Sequence, residues 1–573
     1  MQLPHYQPRR FLPADLDVND VAALEPVFAR LAQELPQAGD AAALGDWLDR
    51  YDETHAAINE AGTGAYIAMT CQTDDPVRER AYLHFIEQIE PWLKPRQFAL
   101  LEQLAKHPAF ANLPPHYEVF RRSVRNRVKL YRDANVPRET EEARLAQQYS
   151  KICGAMTVFW DGAERPLPEM APVLEETDRT RRQLAFEAVS ARRLQDREAL
   201  EDIFDRMLAL RGEMAKEAGF AGYRDYAFAL RERFDYTPAD CVAFHEAIAQ
   251  HVVPLRRERQ ELRRKSMGLD VLRPWDIDVD PAGRPPMRPF SGAAELSAKS
   301  AALFAGLDER VHGDFTMMIE RGLLDLDSRP GKAPGGYQQT LAEARLPFIF
   351  MNAAGTQQDV ETLLHEAGHA CHALASREQR PAAYREPPIE FAEVASMGME
   401  LLAAPGLEAF YASAPELAER ARREHLEGVL HLLPWVAIVD AFQHWLYANP
   451  GHSRAERAGK WMELVERFGG IEDWSGCEEA RRFFWQRQLH FFEVPFYYIE
   501  YGIAQLGALQ LWQLARRDRS AALAGYYAGL ALGGSRPLPE LFAAAGLRFD
   551  FSSAMLGSLV EDLRGELGRL DEV

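Results

Sequence analysis

The sequence predicts a mainly α-helical protein with a small β-sheet beside a short histidine-rich helix. Three observations carry this. Apolar residues recur at helical spacing over long stretches, strand-like runs are few, and a helix start signal precedes the segment that holds the candidate chemistry. The hydrophobic fraction is 47% and the charged fraction 27%, the balance of a chain that buries a core rather than a disordered one. At 573 residues the length predicts roughly three to four domain-sized units.

Ile203, Met207, Leu210 and Met214 are separated by four, three and four residues with charges between them, which makes one buried stripe of an amphipathic helix. Gly219 follows as a stop signal. Similar patterns fill residues 20–150 and 410–470. Thr157–Trp160 followed by Asp161-Gly162 predicts a strand entering a tight turn. Leu346–Met351 is a short apolar and aromatic run between turn-like segments and predicts a second strand. Pro274–Pro289 holds five prolines and Gly283, so it predicts a long loop. No tandem repeat or low-complexity tract interrupts the chain.

A formal net charge of −20 disfavours nucleic acid as a main partner, because phosphate binding needs clustered Lys and Arg. The densest basic run, Arg256–Lys265, is interrupted by Glu258 and Glu261 and reads as a solvated helix face. Cys71, Cys153, Cys241, Cys371 and Cys477 are odd in number and lack CxxC spacing. They form neither a disulfide framework nor a cysteine zinc module, and imply a reducing compartment. The first residues lack the apolar core of a signal peptide. The apolar stretches Leu432–Val439 and Ala521–Leu532 fall short of the roughly 20 residues that span a bilayer. The expectation is a cytoplasmic protein without a membrane partner.

Residues 361–372 read ETLLHEAGHACH. Within them His365, Glu366 and His369 form HExxH. On a helix, positions i and i+4 lie about 40° apart, given 3.6 residues per turn, so both imidazoles reach one metal. Zinc is the ion that two histidines and a carboxylate suit, with Zn–N bonds of about 2.0–2.1 Å. Glu366 lies about 100° round the helix, off the ligand position and beside a water on the metal, which is the place of a general base. Thr356-Gln357-Gln358-Asp359 predicts the helix start. Chance placement of 16 histidines and 86 acidic residues gives roughly 0.07 such motifs in the chain.

A hydrolytic zinc site needs a third protein ligand and one open position. Residues 390–402, EFAEVASMGMELL, offer Glu390, Glu393 and Glu400 on a candidate helix, and spacing does not choose among them. HEAGHACH followed by FAEVAS resembles the thimet oligopeptidase and oligoendopeptidase F family of zinc peptidases, most closely the bacterial oligoendopeptidase F type. Residues 151–230, Arg273–Asp276, the loop Gly331–Tyr337 and His490–Trp512 are also similar. The resemblance covers residues 60–573 and is weakest in the N-terminal third. It accompanies a division into an N-terminal helical region, 1–180, and a catalytic zinc metallopeptidase region, 181–573.

The resemblance implies two helical halves enclosing a deep substrate channel. It implies one Zn2+ per chain on His365, His369 and Glu393, with Glu390 and Glu400 as solvated or supporting carboxylates and His372 as a structural or supporting residue. Catalysis then follows from a zinc-activated water with Glu366 as general base. In HFFEVPFYYIEYG, residues 490–502, the resemblance implies that His490, Tyr498 and Tyr501 stabilise the transition state. Tyr497 competes, and Val494-Pro495 departs from the thimet type, where a further tyrosine stands. Gly335, Gly336 and Tyr337 lie in a loop that the family places near substrate; Lys332-Ala333 excludes a phosphate-binding P-loop. Phe348–Asn352 is expected as an edge strand onto which a peptide adds.

The implied activity is endopeptidase cleavage of short, unstructured oligopeptides. A metallocarboxypeptidase, a peptide-binding protein without catalysis, and a structural protein with incidental histidines are the rivals. Intact Glu366 weighs against a pure binder, and a structural protein predicts no bound metal.

Overall fold

The computed structural model describes residues 5–571, and helices dominate it. The chain forms two compact units, each assembled from three stretches. One comprises Met1–Lys129, Arg288–Ala421 and Gly507–Phe549; the other comprises Leu130–Met287, Arg422–Leu506 and Asp550–Val573.

In the first unit, the helices Val21–Glu34, Ala41–Cys71 and Glu90–Lys106 bury Leu24, Leu31, Leu44, Trp47, Leu100 and Leu104 in one cluster with Phe110. Asp20 and Asp40 cap the first two helices by accepting backbone N–H bonds, which satisfies donors that a helix start leaves free. The Trp47 indole donates to the Leu31 carbonyl at 2.9 Å, so its one polar atom is paired inside the core.

The second unit opens its strand content with a hairpin, β1 (Thr157–Trp160) and β2 (Ala163–Pro166), paired Thr157 to Pro166 and Trp160 to Ala163. Asp161 and Gly162 join them with φ of 48° and 82°, the two left-handed positions that an Asp-Gly hairpin turn requires. The stripe helix runs Arg197–Glu217; Ile203, Met207 and Met214 are buried, with Leu210 half-buried. Gly219 follows it at φ 85°. After the short turn Pro274–Asp276, no regular element forms before the helix at Gly292, in accord with the proline count.

The basic run is not a solvated face. It lies on the helix Val253–Ser266, where Arg256 pairs with Glu472 at 3.1 Å, Arg259 with Glu427 at 2.7 Å, and Arg263 donates to the Asp276 carbonyl at 2.8 Å. Long-range partners, invisible in a local charge count, turn it into a clamp. Among the described residues one helix, Pro415–Ala448, is long and apolar enough to cross a membrane. Its apolar window is 61% buried inside the structure, as a core helix is.

The first unit also holds a three-stranded sheet, β3 (Leu324–Asp327), β4 (Tyr337–Leu341) and β5 (Leu346–Ala353), in the order β3-β5-β4. β5 is parallel to β3 and antiparallel to β4, with Tyr337 opposite Phe350 and Leu341 opposite Leu346. The predicted strand Leu346–Met351 therefore forms. It is the central strand, however, so the expected edge at Phe348–Asn352 is corrected: β3 and β4 pair with its two edges, and the side chains of Leu346–Met351 are buried, which fits an unbroken apolar run. The edge beside it is β4.

Candidate metal centre

The chain leaves β5 and enters the helix Gln357–Ser376 through a capping box. Asp359 donates its N–H to Thr356 Oγ1 at 3.2 Å, and Thr356 donates its N–H to Asp359 Oδ2 at 2.8 Å. This is the start that the sequence predicts, and it carries the HExxH residues two turns into the helix.

The helix Ile389–Ala403 packs against the first at Gly368. A Cβ there would stand 2.5 Å from the Ala395 carbonyl oxygen and 2.5 Å from Ser396 Cα. Only glycine permits that approach, and the approach presents Glu393 to the histidine pair. Glu393 Oε2 lies 3.4 Å from His365 Nε2 and 3.9 Å from His369 Nε2. The imidazoles meet edge to face, centroids 4.9 Å apart. One ligand atom from each of the three residues lies within 4.8 Å of the other two. Tetrahedral bonds of about 2.0–2.1 Å imply donor separations of about 3.4 Å, so the set fits a zinc-sized ion. Of the three glutamates that spacing left open, Glu393 joins this group. Glu400 instead lies 2.6 Å from His365 Nδ1. A carboxylate only accepts, so Nδ1 carries a proton, which leaves Nε2 as the atom that would bind a metal.

The electrostatics call for a cation. Burial opposes charge on His365, but the carboxylates of Glu393 and Glu400 outweigh it and hold the imidazole well above its ordinary value. Burial opposes ionisation of Glu393 as well; the hydrogen bond to His365 and the neighbouring imidazoles outweigh it and hold the carboxyl low, aided by Ser396 Oγ donating at 3.1 Å. Burial drives His369 down to about 4, leaving a neutral ligand. Glu366 is buried, and desolvation pushes it up to about 7. The Gln338 backbone amide of β4 favours the charged carboxylate and opposes part of that rise.

His372 is buried, its ring edge-on to Phe391 with centroids 5.9 Å apart. Neither ring nitrogen has a hydrogen-bond partner among the described residues, so it packs rather than supports a ligand.

The loop before β4 is pinned. Lys332 Nζ donates to Asp325 Oδ1 at 2.9 Å and to the carbonyls of Asp327 and Met351 at 2.8 and 2.6 Å. Asn352 Nδ2 donates to the carbonyls of Ala333 and Gly335 at 2.8 and 3.0 Å. Gly335 has φ 96°, and a Cβ on Gly336 would meet Thr362 Cγ2 at 3.2 Å. Tyr337 stacks on Phe350 at 4.7 Å and shares a 2.6 Å hydrogen bond with Thr70 Oγ1.

In the second unit, His490 and three tyrosines form one cluster. The His490 ring lies 4.7 Å from Tyr498, 5.7 Å from Tyr497 and 6.2 Å from Tyr501, centroid to centroid. Tyr498 precedes the helix Ile499–Arg517 and Tyr501 stands in its first turn, yet their rings still meet at 5.4 Å. His490 Nδ1 is hydrogen-bonded by the Gln488 amide, whose oxygen accepts from Trp435 at 3.0 Å. Burial, with Arg231 adding to it, pushes His490 down to about 4.

Sequence reasoning missed what holds this segment. Arg211 donates to the carbonyls of Phe491 and Phe492, Arg231 to that of Pro495 at 2.9 Å, and Arg233 to that of Phe496. Phe496 itself has φ 62°, an uncommon conformation for a bulky residue. The only sequence signal is arginines placed among apolar residues.

A family model, peptidase family M3, matches residues 173–561. The chain belongs to peptidase family M3. Among curated relatives, the Group B oligopeptidase PepB of Streptococcus agalactiae is 26% identical over 225 residues, 39% of this chain and 36% of that protein. An oligoendopeptidase F homolog of Lactococcus lactis subsp. lactis is 30% identical over 151 residues, 26% of this chain and 24% of that protein. The matches thus span about a third and a quarter of those relatives' lengths. The solved structure of PZ peptidase A with an inhibitor is 28% identical, with a TM-score of 0.88, covering 98% of this chain and 99% of that one. The M3 match and this likeness agree with the mainly α fold that the periodicity predicts.

Proposed function

We propose that this M3 chain is a zinc-dependent endopeptidase that cuts internal bonds of short, unstructured peptides. The observation that carries the reading is the convergence of His365, His369 and Glu393 on one point, with Glu366 buried beside them.

His365, His369 and Glu393 would hold one zinc ion per chain. When bound, zinc polarises the scissile carbonyl and makes the attacking water more acidic. Glu366 takes the proton from that water and returns it to the leaving amine. Burial keeps Glu366 more basic than an ordinary carboxylate, which suits a base working near neutrality. Glu400 fixes the tautomer and plane of His365.

For the developing oxyanion we assign His490, Tyr498 and Tyr501, with Tyr497 in the same cluster. All are donors that need not be charged, and a neutral donor stabilises an oxyanion without competing for the metal. For the substrate backbone we assign Gly335, Gly336 and Tyr337 with the free side of β4. Strand addition there would use main-chain hydrogen bonds and tolerate varied side chains. Five free cysteines support a reducing, cytoplasmic setting. The names of the oligopeptidase relatives support the substrate class.

The test is a digest of an unmodified peptide of about ten residues, a length suited to an extended substrate, with fragments read by mass. Internal cuts support the endopeptidase. Stepwise loss of C-terminal residues would make it a carboxypeptidase, and no cleavage by the zinc-loaded protein would make it a binder.

A further inference from the structure

A second cluster of metal-ligating side chains lies in the other compact unit. Cys241 and His245 are one turn apart on the helix Pro238–Ala247, and Asp440 and His444 are one turn apart on the helix Pro415–Ala448. All four are buried. One ligand atom each from Cys241, Asp440 and His444 lies within 4.8 Å of the others.

The contacts are those of a ligand set rather than a finished hydrogen-bond network. His444 Nε2 stands 3.3 Å from Asp440 Oδ2, yet it has no hydrogen-bond partner among the described residues. Asp440 Oδ1 also has none there, and the carboxylate is fully buried. Leaving such a carboxylate oxygen unsatisfied costs stability. A separation of 3.3 Å between nitrogen and oxygen is close to the edge of a zinc tetrahedron with bonds of about 2.0–2.1 Å. His245 donates Nε2–H to Asp440 Oδ2 at 2.8 Å, the kind of outer hydrogen bond that orients a ligating carboxylate.

We propose that Cys241, Asp440 and His444 bind a zinc-class divalent metal ion, oriented by His245 and separate from the HExxH site. On binding, the Cys241 S–H bond breaks, the sulfur lone pair forms the metal–sulfur bond, and the proton leaves to solvent. Thiolate and carboxylate together neutralise the dication, which suits a buried position where net charge is costly. The ion joins two helices beneath a strained turn: the His444 ring lies 5.4 Å from Phe496, and the Phe496 N–H donates to Gln443 at 2.9 Å. Its role is therefore structural, holding the turn that leads into Tyr497, Tyr498 and Tyr501. The i, i+4 pairing on two helices is the same device as HExxH, split between segments about two hundred residues apart in sequence.

Cobalt(II) substitution tests this independently of catalysis. The HExxH site contains no sulfur, so a thiolate-to-cobalt charge-transfer band in the near ultraviolet reports a cysteine ligand. The full-length protein loaded with cobalt should show that band, and His369→Ala should keep it with one metal equivalent fewer. Cys241→Ser should abolish it, and His444→Ala should abolish or strongly reduce it, with bound metal falling by one equivalent. Two different variants are used so that misfolding of one does not decide the result. Absence of the band in the wild-type protein overturns the proposal, as does a band unchanged in Cys241→Ser.

Discussion

His365 Nδ1 and Glu400 Oε1 lie 2.6 Å apart, from two helices that meet at Gly368. The contact sets the direction of the His365 lone pair. Glu400→Ala should therefore weaken zinc binding by about 10–100-fold while the fold is kept. Competition against a chelator of known affinity measures it, and circular dichroism checks the fold.

Gly368→Ala should do more damage than its size implies. The new Cβ would overlap the Ala395 carbonyl and Ser396 Cα, which are helix backbone and cannot rotate away. Tyr526 also holds the Ala395 carbonyl at 2.7 Å. Overpacking of this kind costs about 1–3 kcal/mol, and separating the helices moves Glu393 from the imidazoles. The expected outcome is a lower Tm together with loss of bound metal. A normal metal content would show that the close approach does not position Glu393.

The proposed His490 role has a defined pH signature. Burial holds His490 down to about 4, so it protonates only below that value and stays neutral from about pH 5 to 8. His490→Ala should lower kcat by about 10²–10³-fold, the cost of removing one oxyanion donor, with bound zinc unchanged. The acid limb of the remaining activity should keep its position. A limb that moves in His490→Ala would assign a titrating, proton-transferring role to that residue.

Local chemistry made much of this molecule legible. Asp161-Gly162 fixed a hairpin turn, Thr356 and Asp359 fixed a helix start, and the His365–His369 spacing follows from helix geometry alone. What depends on distant partners was not legible. Glu390, Glu393 and Glu400 are equivalent by spacing, and only the approach at Gly368 separates them. Phe348–Asn352 read as an edge because its own residues do not reveal that β3 covers its other side. The arginines that hold Phe491–Phe496 bond to carbonyls 263 to 281 positions away. Pairing over such separations leaves no periodicity to read.

The most direct measurement is zinc content and peptide cleavage in wild type and Glu366→Gln side by side. Glu366 is not among the three grouped ligands, so the account predicts equal zinc in both proteins. It predicts cleavage of a ten-residue peptide slower by about 10²–10⁴-fold in Glu366→Gln, the usual contribution of a general base. Equal cleavage by both, or no zinc in either, would contradict it.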